Sequence, residues 1–282
     1  MVMSTSGSQQ VGYADLNGAG HAFLWTGSAQ SAVDLSPAGA EISEAWGAGG
    51  GQQVGWGKVT ATGALDSFLW TGTAASAIDL TPAGHSNSTA YGTDGVHQVG
   101  SAGGDAFVWS GTAASGVDLH PTWLGYGNSI AYGAGGNQQV GRASGGGTGG
   151  ATHAVLWTGT AASAVDLNSA AFNSSEAFAT NGVIQVGYGN VIADNHAPHA
   201  LMWEGTAASV FDLQALLPSN VSWTRSYAET IDPAGDIFGY AYGTQNGNNV
   251  TYAVEWANTP EPASLSIFAI AGAGLLIRRR RR

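Results

Sequence analysis

The side chains best suited to chemistry in this 282-residue chain are few and scattered. The segment ADNHAPHA places Asp194, Asn195, His196 and His199 close together, and a carboxylate with two imidazoles at that spacing could meet a divalent ion. Glu41, Glu44, Glu176 and Glu229 could serve as general acids or bases if the fold aimed them into a common channel, as a polysaccharide hydrolase or lyase requires. Trp46, Trp56, Trp123 and Trp223 could stack on sugar rings, as in a lectin. With no cysteine, the chain has no thiolate nucleophile, disulfide or Cys-ligated zinc. G-x-S-x-G, H-E-x-x-H and the P-loop are missing, and the glycines of GRASGGGTGGAT read as a flexible loop rather than a dinucleotide fingerprint.

Recurrence weakens each of these chemical readings. His21, His153 and His199 occupy one position of a repeated segment, and Asp66, Asp105 and Tyr252 occupy it elsewhere. They are therefore expected on separate units as polar strand starts, with ADNHAPHA an enlarged loop. No catalytic residue, metal ligand or cofactor is assigned. A scaffold ranks ahead of a lectin, and a lectin ahead of an enzyme.

The repeat itself reads FLWTGTAASAIDL at Phe68 to Leu80, with near-copies from Phe23, Phe107, Val155 and Leu201. An aspartate follows each tryptophan by nine residues: Trp25 and Asp34, Trp70 and Asp79, Trp109 and Asp118, Trp157 and Asp166, Trp203 and Asp212. Trp256, in YAVEW, is a weaker sixth copy. Such an aspartate is expected to accept backbone N–H bonds at a turn.

Tryptophan spacings of 45, 39, 48, 46 and 53 residues fit blades of four short strands. In the second unit the strands are EAWGAGG, GQQVGWG, DSFLWTG and SAIDLTP, two hairpins in succession. The small-residue segments SEAWGAGG, STAYGTDG, SIAYGAGG and SEAFATNG are expected innermost, where strands crowd around an axis. The tryptophans are expected to fill the space between neighbouring blades. The expected fold class is thus all-β, a β-propeller of about six four-stranded blades over residues 1–257. The final unit has no fourth strand signal. MSTSGSQQVG aligns so that Met1 falls inside the first inner strand, and no secretory leader pattern precedes it. The chain is therefore expected to begin partway through a longer one, with seven blades if a unit lies upstream.

Composition supports this reading. Hydrophobic residues make up 44%, charged residues 10%, and there are 44 glycines. The formal charge is −11, although five of the eight basic residues are Arg278 to Arg282. A body so acidic repels phosphate backbones, so nucleic acid is not expected as a partner.

At Trp256 the pattern changes. Pro260, Glu261 and Pro262 interrupt sheet and helix alike. Residues 265–277 follow without a charge, including Leu265, Ile267, Phe268, Ile270, Leu275, Leu276 and Ile277, and then come Arg278, Arg279, Arg280, Arg281 and Arg282. As a helix the run would span about 20 Å, short of the roughly 30 Å hydrocarbon core unless flanking residues and snorkelling extend it. A short C-terminal hydrophobic helix with its arginines cytoplasmic is expected.

Two resemblances rest on these motifs. HAFLW, HAVLW and HALMW, each with a following Asp-Leu pair and a QQVG-like strand, resemble the bacterial extracellular HAF repeat, which implies a propeller-like fold. Residues 258–282 resemble the PEP-CTERM sorting signal: Pro260, Glu261 and Pro262 as its motif, the apolar run as membrane anchor, the arginines as cytoplasmic stop. That resemblance implies export in a Gram-negative bacterium, transient anchoring in the inner membrane and release to the surface or matrix. It also implies an exosortase-type processing enzyme as partner, with exopolysaccharide a further expected one.

Overall fold

The computed structural model describes residues 1–61 and 63–258. The expected sorting motif, hydrophobic helix and arginine cluster lie outside the described residues, apart from the motif's first position at Asn258. Among the described residues no helix is long and apolar enough to cross a membrane.

The described chain forms six antiparallel sheets, each a simple up-and-down meander. The first comprises β1 (Val2–Ser6), β2 (Gln9–Leu16), β3 (Ala19–Trp25) and β4 (Val33–Asp34). The second comprises β5 (Ala40–Gly49), β6 (Gln52–Val59), β7 (Leu65–Trp70) and β8 (Ile78–Asp79). The third comprises β9 (Ser88–Thr93), β10 (Gln98–Ala102), β11 (Asp105–Trp109) and β12 (Val117–Asp118). The fourth comprises β13 (Tyr126–Gly135), β14 (Gln138–Gly145), β15 (Thr152–Trp157) and β16 (Val165–Asp166). The fifth comprises β17 (Phe172–Thr180), β18 (Gln185–Val191), β19 (Ala197–Trp203) and β20 (Phe211–Asp212). The sixth has three strands, β21 (Ser222–Ile231), β22 (Ile237–Gln245) and β23 (Asn248–Trp256), in keeping with the absence of a fourth strand signal in the final unit. Among the described residues nothing pairs with the outer edge of β23.

Each inner strand packs beside the next, β1 on β5, then β9, β13, β17 and β21. The small-residue segments are innermost, as their composition requires. Between the third and fourth strands the TGTAAS stretch is a 3-10 turn closed by its own serine. Ser76 Oγ accepts the Thr71 N–H at 2.8 Å and donates to Thr73 O at 2.6 Å, and Ser31, Ser115, Ser163 and Ser209 do the same.

The core lies between sheets. Trp70 packs with Val11, Leu24 and Leu35 of the first sheet, and Trp109 with Val54, Leu69 and Leu80 of the second. Trp157, Trp203 and Trp256 likewise cover the preceding sheet. Trp70, Trp109, Trp157 and Trp203 are fully buried. Trp25, in the first sheet, is half-buried and stacks on Phe23 at 5.5 Å. The leucine of each Asp-Leu pair is buried in these same seams: Leu35, Leu80, Leu119, Leu167 and Leu213. Fully enclosing one such side chain contributes roughly 1.5–3 kcal/mol, so the seams rather than the sheets themselves carry the apolar stabilisation.

Candidate binding channel

The polar residues of the repeat are consumed by structure, and the same way each time. The recurrent aspartate holds two groups. Asp34 Oδ1 accepts the Ser36 N–H at 2.8 Å, and Oδ2 accepts a hydrogen bond from His21 Nδ1 at 2.8 Å. Asp166 repeats this with Asn168 and His153, and Asp212 with Gln214 and His199. Asp79 and Asp118 make the turn bond alone, to Thr81 and His120. In the third sheet the pair is inverted: Asp105 takes the strand position, and His120 approaches it at 3.4 Å from two residues past Asp118.

All five aspartates accept a turn N–H, and the histidine partnership is one that the sequence analysis did not anticipate. Burial favours protonation of Asp34 and Asp166; the N–H donors and the facing histidines outweigh it and hold both below the usual aspartate range.

A buried serine carries the link into the next sheet. Ser43, Ser88, Ser129, Ser175 and Ser226 each sit in an inner strand and accept a backbone N–H from the preceding sheet's third strand at 2.9–3.0 Å. Each also bonds the residue two beyond the aspartate: Ser36, Thr81, His120, Asn168 or Gln214. The glutamine of QVG has a comparable task. Gln53, Gln98, Gln139 and Gln185 are buried and accept the N–H of Gly72, Gly111, Gly159 and Gly205 at 2.7 Å.

The ADNHAPHA loop resolves in the same sense. His199 presents Nδ1 to Asp212 at 2.7 Å and Nε2 to Asp194 at 3.0 Å, so both ring nitrogens face carboxylates. Desolvation opposes its protonation, but the two aspartates prevail and raise its pKa above 6.5. His196 stands apart in the turn, with φ of +62°. Among the described residues no group of three or more His, Asp or Glu side chains is arranged to hold a metal ion.

What the repeat leaves variable lies on the inner strands. Each pairs with its second strand through a β-bulge, which re-aims one side chain. One such shift recurs in all six inner strands and skips Met3, Trp46, Tyr91, Tyr132, Phe178 and Glu229; β5, β13, β17 and β21 carry a further shift nearer their starts. All six line one cavity of about 570 Å³, which draws its wall from every inner strand. The bulge also explains the glycine of QVG. A Cβ at Gly55, Gly100, Gly141, Gly187 or Gly239 would collide with the carbonyl of Glu44, Thr89, Ile130, Glu176 or Tyr227, two residues before the bulge.

The cavity wall is aromatic along one arc. Trp46 and Tyr91 lie 5.3 Å apart, Tyr91 and Tyr132 5.5 Å, and Tyr132 and Phe178 5.8 Å, in edge-to-face contacts that set positive ring edges on negative faces. Beyond the lining, ring contacts run on from Phe178 through Tyr188 and Tyr227 to Tyr240. Glu229 is the one charged side chain in the lining and is exposed to it. Its enclosure pushes the carboxyl above the ordinary glutamate value, although the Tyr240 hydroxyl donates to it; that phenol is pushed up to about 12.

Of the other candidate acids, Glu44 accepts from Trp46 Nε1 at 2.8 Å, and Glu176 faces Arg142 at 3.4 Å and Tyr188 at 3.3 Å. Burial raises the Glu176 pKa despite that arginine. Glu41 pairs with exposed Lys58, away from the cavity. The structure therefore does not gather the four acids into one constellation. Of the four candidate tryptophans only Trp46 lines the cavity. Trp56 lies opposite Glu44 on β6, Trp223 donates to Pro218 O at 2.8 Å, and Trp123 is 60% exposed. The segments SEAWGAGG, STAYGTDG, SIAYGAGG and SEAFATNG place Trp46, Tyr91, Tyr132 and Phe178 at one position, and Glu229 was expected to face a channel, but the equivalence of Glu229 with those aromatics was not read from the sequence. The signal was the single position after the recurrent Ala45, Ala90, Ala131, Ala177 and Ala228.

Comparison with known proteins agrees with this architecture. The β-propeller domain of the Trilobed protease from Pyrococcus furiosus, described as having an open velcro topology, superposes with a TM-score of 0.53 at 10% identity. The match covers 92% of this chain and 81% of that one. The likeness is one of fold alone. Residues 258–282 match the PEP-CTERM protein-sorting motif. No curated protein matches the chain in sequence.

Proposed function

We propose that this is an exported, exosortase-processed surface or matrix protein of a Gram-negative bacterium, whose six sheets close into a ring and act as a non-catalytic interaction scaffold. The observation that carries the reading is the sorting motif at residues 258–282, set directly behind the last strand of the repeat body. In this reading Pro260, Glu261 and Pro262 address the chain to the processing enzyme. Residues 265–277 hold it transiently in the membrane, and Arg278 to Arg282 stay cytoplasmic. The scaffold half is supported by the repeated aspartates and glutamines, engaged in turns, and by the repeated serines, engaged in joining sheets, and the resemblance to HAF repeats fits it. Expression from the native locus, with and without the exosortase gene, tests the proposal. A shortened product at the surface or in the medium is expected only with the enzyme, and substitution of Pro260 to Pro262 should leave the unprocessed chain in the membrane fraction. Full-length product in the cytosol of both strains would refute it.

A second reading, carbohydrate binding, is favoured by Trp123, the one exposed tryptophan of the ten. Glycan-array signal lost in Trp123→Ala would support it.

A further inference from the structure

Five of the six bulge positions carry apolar or aromatic side chains, and the sixth carries a carboxylate. That contrast is informative because the position is equivalent in every inner strand and the bulge aims each residue at the same space. We propose that the central cavity binds an organic ammonium group, its substituents held by the arc of Trp46, Tyr91, Tyr132 and Phe178 and its charge by Glu229.

Aromatic faces attract cations through the ring quadrupole, and a carboxylate within the same enclosure adds a directed counter-charge. The rings are half-buried, leaving part of each open to the cavity. Glu41 and Glu176 have basic partners, whereas Glu229 has a phenol donor and, among the described residues, no ion-pair partner. No basic side chain lines the cavity to compete: Arg142 is held by Glu176, and Arg225 lies 4.8 Å over the Tyr242 ring. The formal charge of −11 biases the approach of a ligand in the same direction. A hard divalent ion is a poor fit, since it demands six or more oxygens and the girdle offers one carboxylate. The volume, about 570 Å³, accommodates a small organic molecule. The inference concerns the cavity alone and survives or fails separately from the export reading.

Isothermal titration of the full-length chain with charged and neutral pairs tests it: choline against 3,3-dimethyl-1-butanol, its uncharged isostere, and protonated glucosamine against glucose. At least one cation should bind about tenfold or more tightly than its neutral partner, a preference that Glu229→Gln largely abolishes. The first pair reports a quaternary amine, the second an amino sugar. On the unsubstituted chain, raising sodium chloride from about 20 mM to about 500 mM should weaken cation binding and leave neutral binding unchanged. Equal affinity within both pairs, no binding of either cation, or a cation affinity indifferent to both salt and Glu229→Gln would overturn the proposal.

Discussion

Ser175→Ala isolates the bond that ties one sheet to the next. The Ser175 hydroxyl is fully buried, accepts the Ala154 N–H at 3.0 Å and donates to Asn168 Oδ1 at 2.7 Å. Removing it strands the Ala154 amide, itself in a residue with no exposed surface. Asn168 is half-buried and retains other contacts, to Phe172 O at 3.3 Å among them, so its loss is the smaller one. A buried donor left unsatisfied costs about 1–3 kcal/mol, and the vacated hydroxyl adds little volume. An effect of about 2 kcal/mol corresponds to a fall in Tm of roughly 4–8 °C for a domain of this size. Because stacked units can open separately, hydrogen exchange should accompany the melt. The Ala154 amide is expected to lose protection more than amides in the first and second sheets. Ser163→Ala, which breaks the water-accessible bonds to Thr158 N and Thr160 O, should cost less than half as much. A Ser175→Ala protein that melts with the parent and protects Ala154 equally would refute the sheet-to-sheet role of the serine.

Gly141→Ala should compromise folding outright, since the new methyl meets the Ile130 carbonyl and the bulge that admits it; soluble yield and circular dichroism would show the loss. Trp157→Ala, emptying a filled seam, should cost about 3–5 kcal/mol in chemical denaturation, and Trp25→Ala distinctly less because Trp25 is only half-buried. For His199 the folded pKa lies above the unfolded 6.5, so its stabilisation is fully present below about pH 6.5 and fades as pH rises through the folded value. The Tm difference between the parent and His199→Gln should therefore shrink between about pH 6 and pH 9, and a difference that grows would contradict the assignment. Asp34 and Asp166 act in the opposite window: their folded pKa lies below 3.8, so their contribution is present above that value and is lost as pH falls through the folded one. Asp166→Asn should converge with the parent in acid, measured by the same melts.

Repetition made much of the fold legible in the sequence. Five Trp–Asp pairs at fixed spacing, QVG strands and small-residue segments recur because each unit solves one packing problem: a first strand crowded against that of the next sheet and a tryptophan that needs a neighbouring sheet to cover it. Periodicity therefore fixed strand order, the aspartate's turn role and the seam position of Trp70, Trp109, Trp157 and Trp203. Composition marked the break after Trp256.

The variable site was hidden because a repeat advertises what is constant. Only the tertiary structure showed that a bulge offsets each inner strand, in five of them at the residue after a small alanine, turning Met3, Trp46, Tyr91, Tyr132, Phe178 and Glu229 toward one space. Register is a property of paired strands, and a one-residue slip changes the face on which a side chain lands. The same holds for His120 with Asp105, an exchange of positions across a hairpin that no single strand displays. Sequence settled which residues repeat; the pairing of strands and the meeting of six sheets settled which of the others come face to face.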